Sequence, residues 1–229
     1  MESLHLFKTF RILDEGEELP PGYIKIPYHI VFDCKFDGRR KARLVAGGNH
    51  TPEVPPEEVY SRVVSMDTIQ IPFVLASINN LEVCAADIAT AFLYDKTREK
   101  VYIVAGKELG ENSGKRMIVK GVLYGLKTSA AIFHESLASK LRRMELCPSR
   151  TDFDLWICPM GDHYEYVATY VDDLLVFSRA PMKIIDEIKS EYDLKGVGQP
   201  EYYLGGNFHA TKNIDNVSEA RNHERSHHL

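Results

Sequence analysis

Two adjacent aspartates, Asp172 and Asp173, separate two apolar runs at residues 164–170 and 174–177. Runs of this length, rich in Val, Tyr and Phe, read as strands, and the acids then fall at the tip of the hairpin that joins them. A carboxylate left unpaired in a core costs several kcal/mol, so acids embedded in such apolar sequence need an explanation. A third, Asp87, ends another apolar run at 81–86. One explanation is ordinary solvent at a strand end or turn. The other is convergence: carboxylates brought together repel unless a divalent cation neutralises them, and hard oxygen ligands select magnesium or manganese. Two such ions, roughly 3.5–4 Å apart, can activate an attacking hydroxyl and stabilise a leaving phosphate oxygen.

The rest of the chain supplies elements that could carry those acids. Residues 1–27, punctuated by Pro20, Pro21, Gly22 and Pro27, read as an irregular lead-in. Residues 30–36 and 41–45 read as strands about a turn at Asp37-Gly38. Ser65 can cap a helix to about Asn79, with Pro72 expected to kink it. Residues 101–104 form a further strand and 105–113 a loop. Thr128 or Ser129 can cap a helix in which Ala130, Phe133, Leu137 and Leu141 repeat every three or four positions. Another helix starts near Pro181 and turns Ile184, Ile185 and Ile188 inward, ending at residues 195–198. Residues 202–208 read as a last strand, and 209–229 as a disordered polar tail.

Composition excludes several classes. A net charge of −5 argues against holding nucleic acid by overall positive charge. It leaves room for a local patch, and Lys35, Arg39, Arg40, Lys41 and Arg43 are interrupted only by Asp37. The four cysteines have neither zinc nor disulfide spacing and read as free thiols. No apolar stretch is long enough for a membrane helix, and residues 1–11 lack a secretory signal, so the expected location is intracellular, cytoplasmic or nuclear.

At this point a resemblance becomes specific. Tyr170-Val171-Asp172-Asp173 resembles the tyrosine-x-aspartate-aspartate motif of reverse transcriptases. Residues 83–93 around Asp87 resemble that family's first carboxylate motif, and residues 123–133 its template-positioning motif. Lys41-Ala42-Arg43-Leu44-Val45-Ala46-Gly47-Gly48 and Tyr202-Tyr203-Leu204-Gly205-Gly206 complete, in order, the pattern of Ty1/copia-type retrotransposons.

The resemblance implies an RNA-directed DNA polymerase core from a transposon polyprotein. It implies an α+β, two-layer fold with an antiparallel palm sheet backed by helices, spanning 28–208. Fingers would lie at about 28–78 and 101–120, and palm at about 79–100 and 121–208; the family's thumb finds no match. Asp87 and Asp172 would ligate two magnesium or manganese ions, supported by Asp173 and the carbonyl of Ile88. Lys35, Lys41 and Arg43 would contact the incoming triphosphate. Phe92 would exclude a 2′-hydroxyl, or is a plain core aromatic. Tyr124 and Gly125 would approach the nascent base pair, unless Gly125 is only a turn residue. Lys195 would protonate the departing pyrophosphate, or complements a helix end. Tyr203, Leu204 and Gly205 would grip the primer. Implied partners are a primed RNA or DNA template, deoxynucleoside triphosphates, and ribonuclease H and integrase segments of the same polyprotein, with no membrane. The competing reading is a truncated, non-catalytic transposon remnant that binds nucleic acid weakly.

Overall fold

The computed structural model describes residues 8–34, 38 and 40–200, and the backbone of 202, 203, 206 and 207. Two compact units divide the chain, Met1–Gly198 and Gln199–Leu229. The first begins with strands β1 (Phe10–Ile12), β2 (Ile24–Lys25), β3 (Tyr28–Cys34) and β4 (Arg40–Ala46), then helices α1 (Pro56–Val59) and α2 (Met66–Asn79). Next come β5 (Glu82–Ile88), β6 (Val101–Val104), β7 (Arg116–Val119), helix α3 (Ser129–Arg143), β8 (Cys147–Pro148) and β9 (Leu155–Pro159). The unit closes with β10 (Tyr164–Tyr170), β11 (Asp173–Ser178), helix α4 (Pro181–Lys189) and β12 (Leu194–Gly198).

The main layer is a six-stranded sheet in the order β12-β5-β11-β10-β9-β8, antiparallel at every pairing. Side chains alternate between its faces. Cys84, Ala86, Ile88, Leu174, Val176, Val167 and Trp156 share one core with Phe133, Leu137 and Leu141 of α3 and Ile185 and Ile188 of α4. On the opposite face Phe73 of α2 meets Phe177 edge-on at 4.9 Å. Helices therefore cover both faces, which is why β10 and β11 read as nearly unbroken apolar runs. Val167, Leu174, Leu175, Val176 and Phe177 are all at 0% exposure, each stabilising the fold by roughly 1.5–3 kcal/mol. Among the described residues no helix is long and apolar enough to cross a membrane.

A smaller sheet has the order β1-β7-β6-β2, with β2 parallel to β6 and the other pairs antiparallel. This corrects the expectation of an irregular lead-in: β1 and β2 are integral to the sheet, and Ile26 is 1% exposed. Strands of two or three residues are too short for a period to show in sequence. The same reason hid β8. Residues 194–198, expected to end a helix, form edge strand β12 instead, and Lys107–Asn112 is a 3-10 turn within the expected loop.

The expected helix caps fared unequally. Ser65 Oγ accepts from Thr68 N at 3.1 Å, as the sequence suggests, and α2 runs on through Pro72, whose ring is buried. Thr128 precedes α3 without a side-chain cap. Glu99 caps this helix from outside, accepting from Thr128 N at 3.1 Å and Thr128 Oγ1 at 2.9 Å, where a carboxylate also meets the positive end of the helix.

In the second unit β13 (Tyr202–Tyr203) pairs antiparallel with β14 (Gly206–Asn207). The expected single strand at 202–208 is thus a small hairpin. Leu204, Gly205 and the tail at 209–229 lie outside the described residues, as do Lys35 and Arg39.

Candidate active site

Strand register brings the three acids together. Asp173, the first residue of β11, lies directly opposite Asp87 near the end of β5, so both side chains emerge on the same face. Tyr170 pairs with Asp173, leaving Val171 and Asp172 as a two-residue turn. Val171 adopts φ +55°, a left-handed conformation that a β-branched residue rarely takes. The turn is joined to the first acid's strand by Ile88 N donating to Asp172 O at 2.8 Å.

The three charges act on one another. Burial, then Asp172, then Asp87 push the Asp173 carboxyl up to about 6. Asp172 is also raised, by burial first and with Asp87 contributing, while Lys41 and Arg43 oppose the shift. Folded Asp173 thus keeps its proton to near pH 6, whereas an unfolded aspartate loses it near 3.8. Between those values the folded chain binds more protons, so this group's contribution to stability falls as pH rises through the window. Asp173→Asn is therefore expected to stabilise the fold at pH 8 by about 1 kcal/mol, well below full conversion of the shift because the side chain is partly solvated. Little gain is expected at pH 4. Thermal melts at both pH values check this, and an equal gain at each would contradict it.

Beside the acids lies a cavity of about 600 Å³ lined by Lys41, Arg43, Asp87, Ile88, Tyr124, Asp172 and Lys195. Lys195 is set opposite Asp87 on β12, so a strand rather than a helix end positions it. Arg43 lies 3.1 Å from Asp33 across the β3–β4 hairpin. The Tyr124 hydroxyl is raised by burial and by the charge of Asp172, with Arg43 opposing. Tyr28 links this hairpin to residues 106–108, donating to Glu108 and accepting from Gly106 N.

Gly125 fixes how the hairpin meets the segment that leads into α3. Its φ is +90°, and a Cβ there would lie 2.2 Å from Ala46 O. Ala46 N donates to Tyr124 O at 2.7 Å, and a Cβ on Gly48 would lie 2.0 Å from Gly125 O. Gly125 therefore serves both a turn and a close backbone approach, and that approach places Lys41 and Arg43 over the acids.

The profile of the family described as reverse transcriptase (RNA-dependent DNA polymerase) matches residues 7–225. The chain belongs to the reverse transcriptase family. Its relatives include two Saccharomyces cerevisiae proteins. The Transposon Ty1-NL2 Gag-Pol polyprotein is 34% identical over 72% of this chain and 9% of its own length. The Transposon Ty1-DR5 Gag-Pol polyprotein is 33% identical over 84% of this chain and 11% of its own length. This reverse transcriptase domain thus spans about a tenth of those relatives. A foamy viral protease-reverse transcriptase solved with double-stranded DNA is similar at 14% identity and TM-score 0.45, covering 83% of this chain and 28% of that one.

Phe92 and Asp173, two further expected site residues of this reverse transcriptase domain, do not line the cavity. Phe92 packs edge-on against Tyr124 at 4.8 Å and Phe133 at 5.8 Å, behind the cavity wall. Asp173 is half-buried beside the lining rather than part of it. Tyr203 lies in β13 of the second unit. Glu108 lines the cavity without any signal in its loop-like sequence, and Arg40 joins Lys41 and Arg43 there. Among the described residues no group of three or more His, Cys, Asp or Glu side chains is arranged to hold a metal ion. The fit of Asp87, Asp172 and Asp173 to a divalent cation is one of donor chemistry and mutual repulsion, which a hard cation relieves.

Proposed function

We propose that this domain catalyses RNA-directed DNA synthesis, joining a primer 3′-hydroxyl to the α-phosphate of a deoxynucleoside triphosphate. The observation that carries the reading is the opposed register of Asp87 and Asp173 with Asp172 in the connecting turn. In this reading the six-stranded sheet is the palm, and the β3–β4 hairpin and smaller sheet are the fingers. Asp87 and Asp172 hold two magnesium or manganese ions, assisted by Asp173 and the Ile88 carbonyl; such ions activate the attacking hydroxyl and stabilise the leaving oxygen. Lys41 and Arg43 neutralise the triphosphate, with Lys35 as a further contact implied by the resemblance. Lys195 delivers a proton to the departing pyrophosphate. Tyr124 and Gly125 bound the base-pair position, and Tyr203, Leu204 and Gly205 grip the primer.

Incubating the protein with a primed RNA template, the four deoxynucleotides and manganese tests this reading. Extension that depends on the metal supports it; no extension in either magnesium or manganese contradicts it. In that case the remnant reading, favoured by the absence of a ready three-acid metal group among the described residues, takes its place.

Phe92 offers a second check. By resemblance it selects deoxyribose, and its ring supports Tyr124 at the cavity wall. Phe92→Ala is expected to raise ribonucleotide incorporation relative to deoxynucleotide by about 10–100-fold, the range that one pocket contact commonly gives. Competition between the two nucleotide types measures this, and unchanged selectivity would leave Phe92 as a core aromatic.

A further inference from the structure

We propose that buried Asp154 and its partly exposed partner His134 form a latch that holds the Val171–Asp172 turn in its strained shape, making both of them positioning residues for the carboxylate site. The proposal rests on the polymerase reading given above. Asp154 is 1% exposed, and a carboxylate so placed is costly unless it is paired and hydrogen-bonded. His134 Nε2 on α3 lies 2.7 Å from Asp154 Oδ1, and Thr169 Oγ1 on β10 donates to the same oxygen at 3.2 Å. Asp154 Oδ2 has no hydrogen-bond partner among the described residues. His134 and Thr169 therefore carry the compensation of the whole group.

These bonds converge just ahead of the turn. Thr169 N donates to Asp154 O at 2.9 Å, and Val64 N donates to Thr169 O at 3.1 Å. Asp152 accepts from Asp154 N through Oδ1 at 3.1 Å and from Ser65 N through Oδ2 at 2.9 Å. Helix α3, the start of α2, the approach to β9 and strand β10 are thus tied together two residues before Val171. Val171 itself, with His134, Asp154 and Thr169, walls a small cavity of about 10 Å³. A β-branched residue at φ +55° costs of order 1–3 kcal/mol and persists only where its surroundings over-determine it. The latch is that surrounding structure, and Asp172 is the next residue.

A thermal-stability cycle on the full chain separates a latch from a plain core contact. Glycine accepts positive φ without strain, so Val171→Gly is expected to raise the Tm of the wild type. In His134→Ala the turn is already released, and the same substitution is expected to raise the Tm much less; additive shifts would overturn the proposal. Primer extension gives the kinetic counterpart. His134→Ala is expected to lower kcat about 100-fold, a loss on the scale of a 1 Å misplacement, with little change in KM for the nucleotide. His134→Gln, which keeps a donor toward Asp154, is expected to recover most of the rate. Unchanged kcat at a temperature where His134→Ala is folded would sink the latch.

Should His134→Ala fail to fold, the paired variant His134→Leu/Asp154→Asn leaves no buried ion behind and takes its place in both measurements with the same expected outcomes. If the wild type extends no primer, the polymerase reading falls while the stability cycle still judges the latch.

Discussion

Asp172→Asn is expected to reduce primer extension roughly a thousandfold, the scale set by losing several kcal/mol of charge stabilisation at the reacting phosphate. Asparagine matches aspartate in shape, so the Val171–Asp172 turn and the hydrogen bond from Ile88 N to the residue 172 carbonyl survive the change. What is lost is a negative oxygen facing a cavity that also holds Lys41, Arg43 and Lys195. Asp172 is raised by burial and by the charge of Asp87, so neutralising it also removes repulsion. The variant should therefore be at least as stable as the wild type while nearly inactive. Single-turnover extension alongside a thermal melt checks both halves. Activity within about tenfold of wild type would show that Asp172 is not a ligand in the reaction.

Gly125→Ala is expected to destabilise the fold by about 3 kcal/mol, combining roughly 1 for a non-glycine residue at positive φ with about 2 for overpacking. The added methyl would lie 2.2 Å from Ala46 O and 2.8 Å from Val45 Cγ1. Neither is the free end of a long side chain. The β4 backbone must retreat, and the hydrogen bond from Ala46 N to Tyr124 O lengthens with it. Because β4 carries Lys41 and Arg43, the same retreat should raise KM for the nucleotide in whatever fraction folds. Urea denaturation at 25 °C measures the stability loss; a change under about 1 kcal/mol would mean that the chain accommodates the methyl without moving the hairpin.

How much of this was legible beforehand depended on distance along the chain. The acid pair between apolar runs announced a hairpin, and the structure closes it at Tyr170 and Asp173. The 3.6-residue period of Phe133, Leu137 and Leu141 marked α3, because one face of that helix is buried. Asp87 was visible as a candidate, but its place opposite Asp173 is a pairing between residues 86 positions apart, which no local pattern encodes. The resemblance of the motifs supplied that proximity. Lys195-Gly196-Val197-Gly198 looks like a helix terminus, which leaves a helix-end role for Lys195 open in the sequence beside that of proton donor. Its edge strand is short, irregular in register and glycine-containing, so it shows no alternation.

Other features were silent for physical reasons. Glu99 caps α3 from 29 positions away, and an acid in a polar stretch gives no sign of such a partner. Asp154 and His134 lie 20 positions apart on different elements, and each alone looks like an ordinary surface residue. Gly125 could be read either as a turn or as a close approach; its φ and the carbonyl of Ala46 show that it is both.

The proposed polymerase chemistry requires Asp87 and Asp172 to act as one cation site. Manganese titration followed by electron paramagnetic resonance measures this without any need for turnover. The wild-type protein is expected to withdraw manganese from solution, and Asp87→Asn, folded as judged by its melt, to lose most of that binding. Equal binding by the two proteins, or none by either, would contradict it.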